Sequence, residues 1–79
     1  MLFLEVIGYM TIYPNLTREL KNRKLTVEIM AEDLGYSRSA MYRRMNGSID
    51  WTLSEIVAIC QYLENFDINT LFLRLHTKT

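Results

Sequence analysis

Residues 26–47 read TVEIMAEDLGYSRSAMYRRMNG, the most informative stretch of the chain. Thr26 is placed to cap a helix over VEIMAEDL, where Glu28 suits the positive end of the helix dipole. Gly35 follows at once, in position for a left-handed C-terminal turn. Ser37 caps a second helix, RSAMYRRM, which ends at Asn46-Gly47. Ala31 lies in the first helix, Gly35 in the turn and Met41 six residues beyond that glycine. Two helices joined by a turn of about three residues in this way make a helix-turn-helix. A small side chain at Ala31 lets the helices cross closely, Gly35 supplies positive φ cheaply, and Met41 packs back onto the first helix. Ile29, Met30 and Leu34 are that helix's apolar positions.

Outward from this stretch, the chain reads as further short helices. Upstream, Pro14 interrupts the chain by fixing φ and lacking an N–H. Asn15 then caps a helix over NLTRELKNRK, with Leu16 and Leu20 inward at i, i+4. Downstream, Thr52 and Glu55 form a T-x-x-E capping box, with Trp51 and Ile56 at the positions of a hydrophobic staple. Leu53, Ile56, Val57, Cys60 and Leu63 form the inward stripe of that helix, and Ile59, Tyr62 and Phe66 widen it. Asp67 caps a short last helix carrying Leu71, Phe72 and Leu75. The expectation is an all-α fold, a compact five-helix domain over residues 13–76.

Residues 1–12 stand apart. β-branched and aromatic enrichment favours an extended strand with apolar residues on both faces. Two readings stay open: a strand paired with its copy in a second subunit, or a stretch upstream of an ancestral start at Met10 that packs opportunistically.

Composition bounds the function. At 79 residues the chain reads as one domain, and 49% hydrophobic with 23% charged residues is an ordinary globular balance. A single cysteine, Cys60, excludes an intramolecular disulfide. With the single His76 it supplies no zinc site, and it fits a reducing cytoplasm. Cys60 reads as core, with a raised thiol pKa, and His76 as a solvated surface residue. No apolar run approaches the roughly 18–20 residues of a membrane helix, and the N-terminus lacks the basic region of a signal peptide. No phosphate loop, metal spacing or cofactor box appears, so neither enzyme activity, a cofactor nor a small-molecule substrate is expected.

Nine basic and nine acidic residues cancel, which argues against a generic polybasic binder. By segment the zero divides. Residues 15–47 carry seven bases (Arg18, Lys21, Arg23, Lys24, Arg38, Arg43, Arg44) and four acids (Glu19, Glu28, Glu32, Asp33), hence +3. Residues 48–79 carry Arg74 and Lys78 against Asp50, Glu55, Glu64 and Asp67, hence −2, and Glu5 makes the tail −1. Lys21, Arg23 and Lys24 fit either a DNA-facing front or simple solvation of helix surfaces.

The ordered pieces Tyr13-Pro14-Asn15-Leu16, Leu25-Thr26, Ala31 to Ser39, Arg44-Met45-Asn46-Gly47 and Thr52-Leu53-Ser54-Glu55 resemble the Cro and lambda-repressor type of helix-turn-helix domain, the xenobiotic-response-element type. They look closest to small phage and prophage regulators of Gram-positive bacteria. The resemblance spans residues 13 to about 75. It implies a lambda-repressor-like DNA-binding fold and a transcription regulator, a small Cro-like repressor binding a double-stranded operator as a homodimer. Two departures stand out. The family often carries Gln where Val27 stands, so the phosphate contact it supports is lost. Arg44 occupies a position that is apolar in many relatives, with Met45 available to take over the packing.

In the resembling family the N-terminal residues of the third helix enter the major groove, which puts Arg38 and Ser39 at base edges. Arg suits guanine O6 and N7. Tyr42 and Arg43, one turn on, share that face. Thr26, Ser37, Arg44, Asn46, Ser48 and Thr52 are the expected phosphate contacts, helix N-termini being ready anion sites. Thr52 reads equally as a structural cap, and Asn46 as a turn residue. The dimer is expected to form through residues 1–12 or the last helix with Phe72 and Leu75. A competing reading, motivated by the zero net charge, Val27 and the apolar tail, is a protein-interaction module, antitoxin-like or partner-binding, with DNA binding weakened or lost.

Overall fold

The computed structural model describes residues 11–75. They form five helices and no strand: α1 (Pro14–Asn22), α2 (Val27–Leu34), α3 (Arg38–Met45), α4 (Leu53–Leu63) and α5 (Ile68–Leu71). Residues 1–10 and His76 lie outside the described residues, and with them most of the segment expected to be extended. Of that segment Thr11 and Ile12 are described, and neither is in a strand. Ile12 N–H donates to the Met45 carbonyl at 2.9 Å, and the Ile12 carbonyl accepts from Leu75 N–H at 2.6 Å. These two bonds tie the start of the domain to the end of α3 and to the segment after α5.

The local rules hold best around the turn. Thr26 caps α2 through Ile29 N–H, Gly35 closes it at φ 83°, and Ser37 caps α3 through Ala40 N–H. Both helices have the bounds that the sequence predicts. The first helix differs. It starts at Pro14, one residue before the expected cap, because proline's fixed φ is preorganised for the first helical position and its missing N–H costs nothing there. Asn15 is therefore not a cap. Its side chain accepts from Arg18 and donates to the Thr70 carbonyl, fastening α1 to the distant α5. Arg23 and Lys24 fall outside the helix, and Leu25 N–H returns to the Leu20 carbonyl at 2.8 Å.

α2 packs on α3, and α1 on α5. The core contains Tyr13, Leu16, Leu20, Met30, Ala31, Met41, Met45, Ile59, Cys60, Leu63 and Leu71. Ala31 and Met41 both sit in it, as the close crossing requires. Four apolar assignments are corrected: Ile29 is 41% exposed, Leu53 74%, Val57 37% and Phe66 62%. On α4 the buried residues are Ile59, Cys60 and Leu63. The start of α4 thus projects past the core. Trp51, expected as a staple with Ile56, is half-buried in an edge-to-face cluster with Tyr13 at 6.2 Å and Phe72 at 5.7 Å. α5 ends at Leu71, leaving Phe72 as its C-cap and Leu75 beyond it and exposed.

Candidate nucleic-acid interface

α3 has the division of faces that a reading helix needs. Met41 and Met45 are buried, while Arg38, Ser39 and Arg43 are exposed. With about 3.6 residues per turn, Arg38, Ser39, Tyr42, Arg43 and Asn46 fall on one side of the cylinder. The helix is held at both ends. Ser37 caps its start, and Asn46 N–H bonds to the Tyr42 carbonyl at 2.9 Å where it closes.

Tyr42 differs from its neighbours. It is half-buried, and its hydroxyl donates to Glu28 Oε2 in the first turn of α2. The two helices of the motif are therefore pinned through side chains as well as through Gly35. Burial, reinforced by the hydrogen bond to Glu28, pushes the Tyr42 phenol up to about 12. The same bond from Tyr42 holds the Glu28 carboxyl below its ordinary value, with a smaller contribution from the charge of Arg38. Tyr42 also walls one side of a cavity of about 300 Å³ between α1, α2 and α3, together with Leu20, Leu25, Val27, Glu28 and Met45.

The hydroxyls of Thr26, Ser37 and Thr52 are exposed at three helix starts. Each oxygen accepts a backbone N–H from its own helix. Capping uses a lone pair and not the hydroxyl proton. That proton has a neighbour to bond within the protein at Thr26, which also bonds Glu28, and at Thr52, whose Oγ1 lies 3.3 Å from Ser54 Oγ. Asn46 and Ser48 are exposed in the turn after α3, where Asn46 Oδ1 accepts Ser48 N–H at 2.9 Å. That bond orients the Asn46 amide and leaves its NH₂ outward-capable.

Arg44 does not join this set. Its Nε lies 3.1 Å from Glu55 Oε1, its Nη2 3.1 Å from Glu55 Oε2, and its Nη1 donates to the Ala40 carbonyl at 3.0 Å. The guanidinium also lies over the Tyr36 ring, 5.1 Å from its centroid. Tyr36 donates to the same Glu55 at 2.9 Å. The network accounts for an arginine at a position that reads as apolar: its planar group fills the space and finds its charge partner there. Met45 is buried beside it, as the sequence reading expects. Sequence reasoning assigned Glu28 only to the dipole and Glu55 only to the capping box. Their cross-helix partners lie 14 and 11 residues away, outside any local pattern.

Arg23 pairs with Glu19 at 2.8 Å, four residues apart on one helix, which makes it a surface pair rather than a free cation. Among the described residues no group of His, Cys, Asp and Glu is arranged to hold a metal, and no helix is long and apolar enough to cross a membrane. Cys60 is buried, and desolvation pushes its thiol up.

A family model for the Cro/C1-type HTH DNA-binding domain matches residues 15–65. Neither the curated proteins nor the solved structures contain a match.

Proposed function

The chain belongs to the Cro/C1-type helix-turn-helix family of DNA-binding domains, and from that premise we infer that it is a sequence-specific transcription regulator whose α3 reads the major groove. The observation that carries this is the split face of α3: Arg38, Ser39 and Arg43 exposed, Met41 and Met45 buried. Arg38 and Arg43 supply bidentate donors for guanine, Ser39 a shorter donor or acceptor, and Tyr42, half-buried on the same side of the helix, a phenolic oxygen. Thr26, Ser37, Asn46, Ser48 and Thr52 hold the backbone phosphates. The guanidinium of Arg44 is committed to Glu55, and its task is to hold α3 in place.

A single module of this kind covers about 600–1,000 Å² of DNA, so a two-fold dimer on a palindromic operator supplies the missing affinity. Phe72 is taken up in the aromatic cluster and is not free for such a contact. Leu53 and Val57, one turn apart on α4, and Leu75 are exposed and serve better. The mode of action is that of a small Cro-like repressor of phage or prophage type, working in the cytoplasm. The near-neutral charge limits non-specific affinity and leaves selectivity to a few placed contacts.

Selection of bound DNA from a random pool, repeated at about 50 and 200 mM salt, tests this reading. Recovery of a palindromic site whose binding weakens with salt supports it. If no sequence is enriched at either salt concentration, the reading fails. The exposed Leu53 and Val57 would then point to the protein-interaction module instead.

A further inference from the structure

Glu28 stands next to the reading face of α3, and nothing in the proposed DNA contacts uses it. A carboxylate held below its ordinary pKa carries no proton at neutral pH, so it can only accept hydrogen bonds. Tyr42 has a single phenolic proton, and that proton is given to Glu28 Oε2. What remains on the Tyr42 oxygen is lone-pair density. A free tyrosine hydroxyl is ambivalent, able to donate to a base carbonyl or to accept from a base amine. This one is polarised in one direction by its partner.

The consequence at a base pair follows from the major-groove pattern. Adenine N6 and cytosine N4 present amine donors there, whereas guanine O6 and thymine O4 present acceptors. An oxygen that only accepts bonds the first pair and opposes the second. Resting on the reading of α3 as the DNA-reading helix, we propose that Glu28 is a specificity-determining positioning residue: by taking the Tyr42 proton it makes Tyr42 select adenine or cytosine over guanine or thymine on the strand it faces. Glu28 itself touches no base. It acts through Tyr42, and it does so from the helix that packs on α3, so its carboxylate and the phenol are fixed relative to each other by the fold.

The experiment is random-pool selection with the native chain, Tyr42→Phe and Glu28→Ala, each confirmed folded by a cooperative thermal melt. The native chain should recover a site with one position per half enriched for adenine or cytosine. One net hydrogen bond sets the scale of that preference at roughly two- to tenfold. Tyr42→Phe should erase the preference at that position and leave the rest of the site intact. Glu28→Ala frees the hydroxyl to donate, so guanine and thymine should now be recovered at the same position. An identical site from Tyr42→Phe overturns the proposal, as does an unchanged site from Glu28→Ala beside an altered one from Tyr42→Phe. Should Glu28→Ala not fold, the native and Tyr42→Phe sites decide alone: a native preference for guanine or thymine at the affected position also overturns it. If the native chain enriches no site at all, the DNA-binding reading fails first, an outcome distinct from a site that is recovered but insensitive to Tyr42.

Discussion

Arg44 and Glu55 meet at 3.1 Å, with the guanidinium and the carboxylate both largely withdrawn from solvent. The contact joins the last turn of α3 to the first turn of α4. Glu55 also completes the capping box of α4 by accepting Thr52 N–H at 2.9 Å, so one carboxylate serves the helix start, the Tyr36 hydroxyl and α3 together. The orientation of α3 against the rest of the domain therefore depends on an ionic clamp as well as on Met41 and Met45.

Removing both sides of that clamp should cost less than the two single removals added together. Arg44→Met leaves Glu55 without its cation in a partly enclosed site, and hydrogen bonds to charged groups are worth about 1.5–3 kcal/mol. In a domain of this size each kcal/mol lowers Tm by about 4–8 °C. Adding Glu55→Gln to Arg44→Met removes the stranded charge, and the double variant should lose less than the two single losses combined. Thermal melts of the four proteins give the coupling energy. Additive losses would mean that the two side chains do not stabilise each other.

Acid should weaken the fold through the same carboxylate. Burial pushes the Glu55 carboxyl up. The hydrogen bonds from Arg44, Thr52 N–H and Tyr36 together outweigh burial and hold it below its ordinary 4.5. Glu28 is lowered as well, chiefly by Tyr42. A carboxyl depressed in the folded state contributes stability that is complete above the unfolded value and lost as pH falls through the folded value. Tm should therefore hold level down to about pH 5 and fall steadily below 4.5. Glu55→Gln should flatten that fall. A Tm profile unchanged by Glu55→Gln would remove the carboxylate from the account.

Alkali should act through two tyrosines. Burial, with hydrogen bonds to Glu28 and Asp33, pushes Tyr42 and Tyr62 up to about 12 from an ordinary 10.0. A phenol raised in the folded state contributes stability that is complete below the unfolded value and lost as pH rises through the folded value, so the window is about pH 10 to 12. Phenolate absorbance should show these two rings among the late steps, with Tyr36 raised as well by burial and by its bond to Glu55, and Tyr42→Phe should delete one late step. A late amplitude undiminished in Tyr42→Phe would contradict the assignment.

The parts of this fold legible in the sequence are those encoded within one turn of chain. Thr26, Gly35, Ser37 and the Thr52–Glu55 box fix the ends of α2, α3 and the start of α4, because a cap is a bond between residues two or three apart. The inward faces were less legible. Cys60 and Leu63 lie in the core as the helical stripe predicts, but Leu53 and Val57 of the same stripe are exposed, and Ile59, read beside it, is buried. A short helix rich in apolar residues carries several near-equivalent stripes, and tertiary packing chooses among them. The division of α3 into a buried and an exposed face could be inferred from the spacing of its two methionines. The Tyr42–Glu28 and Arg44–Glu55 pairs could not, since each forms only once α2, α3 and α4 are assembled.

α4 ends differently from α2, and this offers a way to stabilise the domain. α2 closes on Gly35 at φ 83°, but α4 closes on Glu64 in the same left-handed region at φ 54°. A side chain there meets the following carbonyl at a cost of roughly 1–2 kcal/mol. Glycine avoids that cost but loses more backbone freedom on folding. Glu64→Gly should therefore raise stability by about 0.5–1 kcal/mol net. Gly47→Ala should do the reverse, because φ is +87° and an added Cβ would lie 2.7 Å from Ile12 Cδ1. Gly35→Ala, with nothing within 4 Å of the new atom, should cost less than Gly47→Ala. Denaturant midpoints rank the three, and a Gly35 loss exceeding that at Gly47 would contradict the assigned packing around Ile12.

Arg38 should separate binding from folding. Its side chain is exposed at the first position of α3, so Arg38→Ala removes no core contact and should change stability by no more than about 0.5 kcal/mol. If the guanidinium takes a guanine edge, the same change should weaken binding to the selected site by about 1–3 kcal/mol and relax base preference at one position per half-site. A phosphate contact would instead weaken all sequences alike and shallow the salt dependence by about one unit. Binding isotherms on the selected site and on a scrambled duplex, at two salt concentrations, distinguish the two. Arg44→Met gives the opposite pattern, a lowered Tm with base preference kept wherever the protein is folded. Unchanged affinity and unchanged preference in Arg38→Ala would remove this residue from the reading face.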